Sequence, residues 1–227
     1  MSKIGMRIFS TISRPDPQLL QRMQKIPVAN FDDNMGRIYA MDSAIRPMNQ
    51  CKLFGPAITV KVPAGDNLMF HKALDMAQEG DVIVVSGIGG GERAFSGELM
   101  LAYAVAKKLG GFVIDGFVRD LDGYEDAKFP VYARGIQPNG PYKNGPGEIN
   151  VPIACGSQVV MPGDILIGDA DGVICVPAAE AENLTALAEK TLAFETQLLE
   201  KYHSGEQKPG TKKWVEERIM QLGCEIY

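Results

Sequence analysis

The sequence predicts an α/β domain with a C-terminal helical arm, on three observations. Residues 81–86 (DVIVVS) form a continuous apolar run, the pattern of a strand covered on both faces, and residues 112–118 (FVIDGFV) repeat it. Between them lies GELMLAYAVAKK, a helical stretch opening on Gly97-Glu98, so strand, loop, helix and strand make a βαβ unit. From Ala178 to about His203 the pattern reads as one long helix.

The 227 residues, 45% hydrophobic and 22% charged, suit one substantial domain with an appended arm. We place the boundary between residues 1–177 and residues 178–227. A net charge of −5 argues against a surface that grips a phosphate backbone. No stretch approaches the roughly 18–20 continuous apolar residues of a membrane span. The first 20 residues lack the apolar centre and cleavage site of a signal peptide, so the expected location is the cytoplasm. The four cysteines, Cys51, Cys155, Cys175 and Cys224, are scattered without a C-x-x-C pair, which disfavours a zinc site or a disulfide framework. Cys155 and Cys175 sit in apolar runs and read as small buried hydrophobes.

Taken in order, DPQLLQRMQ opens a helix at Asp16-Pro17, since proline is tolerated in a first turn. Residues 56–65 (PAITVKVPAG) alternate like a strand. Residues 66–80 carry an N-cap aspartate, helical spacing and a closing glycine. After the second strand comes the glycine-rich loop GIGGGERAFS, residues 87–96. It is not G-x-G-x-x-G feeding a helix, so no nucleotide or S-adenosylmethionine site is expected. VYARGIQ and the segments around residues 149–154 read as short strands. Residues 163–177 (GDILIGDADGVICVP) read as a hairpin turning at Asp171-Gly172, and Asp171 is accordingly a turn residue rather than a catalytic acid. A further helix is expected near residues 211–222.

The βαβ unit fixes where chemistry can occur. A helix of about 12 residues spans about 18 Å, and a strand of seven spans a little over 20 Å. Helix start (Gly97-Glu98) and strand end (Arg119-Asp120) therefore meet at one sheet edge, where ligands of open α/β sheets bind. Amides of residues 97–100 at the positive helix end suit a carboxylate or phosphate. Arg119 offers a fork for an oxyanion, and Asp120 and Glu98 are hard oxygen donors suited to Mg²⁺ or Mn²⁺. The residues alone also allow Arg119 and Asp120 to be ordinary solvated ion-pair partners. On the long helix Leu184, Leu187, Thr191, Leu198, Leu199 and Tyr202 share one side of a 100° wheel, with Glu182, Glu189 and Glu200 opposite. Glu195 falls inside the apolar stripe, either as a ligand or as half of a buried ion pair. The histidines are His71 and His203. His71 reads as a packing or surface residue, and a Ser-His-Asp hydrolase is not expected.

At GELMLAYAVAKKLGGFVIDGFVRD the chain resembles the family of the regulator of ribonuclease activity A and the class II pyruvate aldolases that share its fold. Within it the chain is most similar to the 4-hydroxy-4-methyl-2-oxoglutarate / 4-carboxy-4-hydroxy-2-oxoadipate aldolases. The resemblance implies a layered α/β/β swivelling domain, assembled as a homotrimer or homohexamer with sites at subunit interfaces. It implies a lyase that cleaves a 4-hydroxy-2-oxo acid to pyruvate with Mg²⁺ or Mn²⁺, with oxaloacetate decarboxylation as a related activity. In that reading the turn of Gly97, Glu98, Leu99 and Met100 holds the pyruvate carboxylate, and Arg119 binds the keto or enolate oxygen. Asp120 is the metal's protein ligand, Glu98 acts through water, and Glu195 acts through water from a neighbouring subunit. Ser96 stands where many relatives carry a bulky aromatic residue, which changes the expected pocket shape. The rival reading is a non-catalytic protein that masks a ribonuclease, its acidic surface meeting a basic partner. A third is a related lyase or dehydratase acting on another oxo or sugar acid.

Overall fold

The computed structural model describes residues 3–88, 92–206, 210 and 212–225. The chain divides into two compact units, Met1–Glu189 and Lys190–Tyr227. In chain order the first part contains β1 (Met6–Ile8), α1 (Pro17–Met23), α2 (Val28–Asp33), β2 (Arg46–Pro47), β3 (Leu53–Pro63), α3 (Leu68–Met76) and β4 (Val82–Ile88). Then come β5 (Ala94–Ser96), α4 (Glu98–Ala106), β6 (Gly111–Val118), α5 (Leu121–Asp126), β7 (Val131–Ile136) and β8 (Gly147–Ile149). The hairpin strands follow: β9 (Ile153–Cys155), β10 (Gln158–Val160), β11 (Ile165–Asp169) and β12 (Gly172–Val176). A 3₁₀ turn (Ala178–Glu180) leads into α6 (Ala181–His203), and α7 spans Lys213–Gln221.

The main sheet runs β1-β8-β3-β4-β6-β7-β2, with β3, β4, β6 and β7 mutually parallel. The antiparallel pair β11–β12 attaches to β3. Alternation along the strands feeds two cores. Ile83, Val85, Phe112 and Ile114 face Phe70, Leu74, Met100 and Leu101 of the helical layer. Val82, Val84 and Val113 face Leu166, Cys155 and Cys175 of the second β layer. A helical layer, a sheet and a second β layer are thus stacked, and both apolar runs are strands buried on both faces, as their composition requires.

The differences from the sequence expectations have local causes. β3 begins at Leu53 and is buried almost throughout instead of alternating. The N-cap of α3 is Asn67 rather than Asp66, and the helix stops at Met76 because Ala77 is extended, leaving Gly80 in a later turn. Asp66 still serves this helix start, its Oδ1 accepting the Leu68 amide, while its Oδ2 accepts the amides of Asn144 and Gly145. The glycines at 89–91, the centre of the glycine-rich loop, lie outside the described residues, and the end of that loop is the strand β5. The hairpin closes at Asp169↔Gly172, so its turn residues are Ala170 and Asp171, with the Asp171 amide bonded to Asp169 Oδ1 at 3.0 Å. In α6 the buried residues are Ala181, Thr185 and Ala188, small enough for close approach, whereas Leu187 and Leu199 are exposed. On the polar side of α6, Arg22 of α1 grips the partly exposed Glu189 through Nε (3.0 Å) and Nη2 (2.9 Å) and reaches Glu182 through Nη1. In the second unit Phe194, Trp214, Met220 and Leu222 are exposed.

Phe95 of β5 shows how tightly the layers are keyed. Its ring is 1% exposed and lies where side chains of Gly87 and Gly116 would stand. A Cβ on Gly116 would overlap Phe95 Cε2 and approach Cδ2 to 2.8 Å. Gly116→Ala is therefore expected to destabilise the first unit by about 1–3 kcal/mol, the usual cost of overpacking. Urea unfolding measures this, and Phe95→Leu in the same chain is expected to recover part of the loss.

Candidate functional site

β5 explains why helix and strand ends meet. It runs parallel to the last residues of β6, with Ser96 opposite Val118, and the Arg119 amide donates to Ser96 O at 3.0 Å. The next residue, Gly97, is the N-cap of α4. Asp120 sits beside it in the left-handed region (φ 59°), as N-cap of α5. Asp120 Oδ2 accepts the Glu98 amide at 3.0 Å and lies 3.5 Å from Arg119 Nε. Arg119 and Asp120 thus point to the same place rather than to opposite faces.

The cleft over this edge has a volume of about 210 Å³. One wall is Gly97, Glu98, Leu99, Met100, Arg119 and Asp120, the whole set predicted from the βαβ geometry. The guanidinium is confined between two glycines: a Cβ on Gly97 would stand 3.0 Å from Arg119 Nε, and one on Gly140 would stand 2.9 Å from Nη1. Among the four amides expected to meet an anion, two are engaged internally, Glu98 by Asp120 and Met100 by Gly97 O at 3.1 Å. Glu98 is exposed, its side chain lying over Gly123 of α5. Ser96 is buried, its Oγ accepting the Tyr124 hydroxyl at 2.6 Å, and burial raises the Tyr124 pKa so that the phenol stays protonated. Glu195 lies in the second unit, on α6.

The donor set suits a hard divalent cation. Mg²⁺ is typically held by one or two carboxylates and several waters. Among the described residues no group of three His, Cys, Asp or Glu side chains is gathered to enclose an ion. Asp120 Oδ2 accepts the Glu98 amide, while Oδ1 has no partner among the described residues and would be the oxygen left for such an ion.

The family model described as RraA-like, Aldolase/RraA, matches residues 28–175, which contain every strand and helix of this edge. The chain belongs to the RraA-like family. It is 37% identical over 183 residues to a protein of Halalkalibacterium halodurans named "Putative 4-hydroxy-4-methyl-2-oxoglutarate aldolase", covering 80% of this chain and 87% of that one. An uncharacterized protein from Pseudomonas syringae pv. tomato shares the fold with a TM-score of 0.77 at 23% identity, covering 86% of this chain and 96% of its own. Streptomyces coelicolor RraAS2, described as an unusual member of the RNase ES inhibitor RraA protein family, gives 0.71 at 24% identity over 86% and 99% of the two chains. The resemblance read from GELMLAYAVAKKLGGFVIDGFVRD and the α/β fold with its C-terminal helix both hold. No helix among the described residues is long and apolar enough to cross a membrane.

In this RraA-like chain the cleft has a second wall that sequence reasoning missed: Asn67 and His71 of the α3 region, with Pro141 and Lys143 from the loop before β8. His71 is not merely a packing residue. It is half-buried and lines the cleft, and its pKa is lowered by burial and then by Lys143, against a smaller opposing pull from Asp75. Asn67 is 2% exposed; its Nδ2 donates to Phe95 O at 2.8 Å, while its Oδ1 is buried without a partner. Such an orphaned acceptor costs about 1–3 kcal/mol until a donor arrives. The available signal was the four-residue spacing of Asn67 and His71, which places them on one face.

Proposed function

We propose that this protein is a divalent-metal-dependent lyase that cleaves a 4-hydroxy-2-oxo acid, such as 4-hydroxy-4-methyl-2-oxoglutarate, to pyruvate, with oxaloacetate decarboxylation at the same site. The observation that carries this reading is the shared corner of Glu98, Arg119 and Asp120, tied by the 3.0 Å bond from the Glu98 amide to Asp120 Oδ2. The name of the Halalkalibacterium halodurans relative supports it.

Asp120, with Glu98 through water, would hold Mg²⁺ or Mn²⁺, which when bound supplies a Lewis acid to polarise the 2-oxo group. The chain's own groups do the rest. The Leu99 amide, at the positive end of α4, meets the substrate carboxylate. As the C3–C4 bond breaks, the 4-hydroxyl gives its proton to a solvent water and C4 becomes a carbonyl. The electron pair moves into the C2–C3 enolate, whose oxygen faces the Arg119 guanidinium. A charge-assisted bond of this kind contributes about 1.5–3 kcal/mol, and more where it strengthens as charge develops. Protonation at C3 then gives pyruvate. Decarboxylation of oxaloacetate passes through the same enolate and needs the same cation.

The test is pyruvate release from 4-hydroxy-4-methyl-2-oxoglutarate and from oxaloacetate, with EDTA and with restored Mg²⁺. Turnover is expected to vanish with EDTA and return with metal, and Arg119→Lys is expected to lower kcat by about 10²-fold, the usual loss for a misplaced oxyanion donor. Full activity in EDTA would overturn the metal dependence. Absence of turnover on every such acid would favour the ribonuclease-binding reading, for which the acidic surface suits a basic partner.

A further inference from the structure

The part of the cleft lined by Asn67, His71 and Lys143 is a built feature. The Tyr142 amide donates to Gly65 O at 2.7 Å, and the Asn67 amide donates to Tyr142 O at 3.0 Å. Asp66 Oδ2 holds the amides of Asn144 (2.6 Å) and Gly145 (3.0 Å). Both neighbours of Lys143 are therefore pinned to the start of α3, the segment that carries Asn67 and His71. Arg93 fastens the same loop, bonding Gly140 O (2.8 Å) and the Tyr142 hydroxyl (3.0 Å) with its guanidinium 4.2 Å from the Tyr142 ring centroid. Lys143, His71 and Asn67, whose Oδ1 is buried without a partner, thus line the part of the cleft that the enolate chemistry leaves unused.

We propose that His71, Lys143 and Asn67 form a subsite for the far end of a dicarboxylic oxo acid, and that seating its second carboxylate draws a proton onto the His71 imidazole. This rests on the pyruvate-forming reading of the same cleft and assigns the rest of its lining. Lys143 and the imidazolium meet the carboxylate, and Asn67 Oδ1 accepts the hydrogen bond of the substrate's hydroxyl, which gives the orphaned oxygen a donor.

The sign follows from the groups that face His71. Lys143 comes from the loop, Lys72 and Asp75 from α3, and Tyr103 from α4, its hydroxyl bonded to Asp75 at 3.0 Å. Glu98, Arg119 and Asp120 line the same cleft. In the free protein burial and Lys143 hold the imidazole below its ordinary pKa, so it is neutral at pH 7. An arriving carboxylate offsets Lys143 and raises that pKa. Proton uptake occurs between the free protein's low pKa and the complex's higher one, and diacid affinity falls as pH rises through that window. Each unit of the rise corresponds to about tenfold in affinity. A monoacid that leaves the subsite empty shows no such dependence.

The experiment uses the full chain with Mg²⁺, 2-oxoglutarate as an uncleaved diacid probe and pyruvate as the monoacid probe. Calorimetry in two buffers of different ionisation heat reads proton uptake, and imidazole NMR reads the pKa. Two histidines in the sequence make the assignment tractable through His71→Asn. The expected result is an upward shift of the His71 pKa with 2-oxoglutarate, proton uptake on binding, and about tenfold weaker binding at pH 8 than at pH 6. Pyruvate should produce none of these, and His71→Asn should abolish the uptake. Lys143→Met should raise the His71 pKa in the free protein and weaken 2-oxoglutarate. Failure of 2-oxoglutarate to bind, equal uptake with both probes, or uptake that persists in His71→Asn would overturn the proposal. Neither probe is cleaved, so proton-linked diacid binding without pyruvate release would sink the aldolase reading alone.

Discussion

Asp120→Asn is expected to lower kcat/KM for pyruvate release by about 10³-fold while leaving the fold intact. Asparagine tolerates the left-handed conformation that Asp120 adopts at φ 59°, so the backbone between β6 and α5 loses nothing. What changes is charge. The native carboxylate accepts the Glu98 amide, lies beside Arg119 Nε, and offers its second oxygen to the cleft. A neutral amide still accepts one hydrogen bond but no longer balances the guanidinium or serves as a hard anionic donor. Asp120→Ala adds a separate cost of roughly 1–2 kcal/mol, because alanine resists the left-handed region. Measuring urea midpoints beside kcat/KM separates the two: an unchanged midpoint with retained activity in Asp120→Asn would remove Asp120 from the chemistry.

The backbone course that brings this corner together was legible in the sequence because it depends on local rules. Two apolar runs flanking a helix must be parallel strands, and a crossover helix returns its start to the end of the next strand. Glu98, Arg119 and Asp120 follow from that alone. What escaped depends on contacts between distant segments. Asp66 looked like a helix cap because aspartate before an apolar run usually is one. Its Oδ1 does accept the Leu68 amide at the start of α3, but its Oδ2 binds amides 78 and 79 residues away. That interaction brings Lys143 to the cleft, and no periodicity announces it. The amphipathic pattern of α3 speaks to the burial of His71, the first cause of its lowered pKa, but not to Lys143, the second, which comes from a distant loop. The wheel misplaced the packing face of α6 for a related reason. Ranking positions by hydrophobicity favours leucines, but close approach favours Ala181, Thr185 and Ala188.

Gly97→Ala is expected to cost at least 10²-fold in kcat with little change in stability, a split that few substitutions in this chain would produce. Gly97 is extended (φ −154°, ψ −168°), a conformation open to any residue, so the backbone carries no strain that only glycine relieves. The demand is spatial. A Cβ there would overlap Asp120 Oδ2 and stand 3.0 Å from Arg119 Nε and 3.1 Å from Arg119 Cγ. The atoms it displaces include the outer ends of two flexible, partly exposed side chains, which can swing away at small cost to folding. Their swing removes the Asp120 bond to the Glu98 amide and the fixed direction of the guanidinium together, and reacting groups misplaced by about 1 Å commonly cost 10²-fold. The corresponding change at Gly116 acts on a ring locked in the core, so stability falls there instead. If Gly97→Ala keeps wild-type kcat with an unchanged midpoint, the close approach of helix start and strand end is packing, and the shared corner loses its chemical meaning.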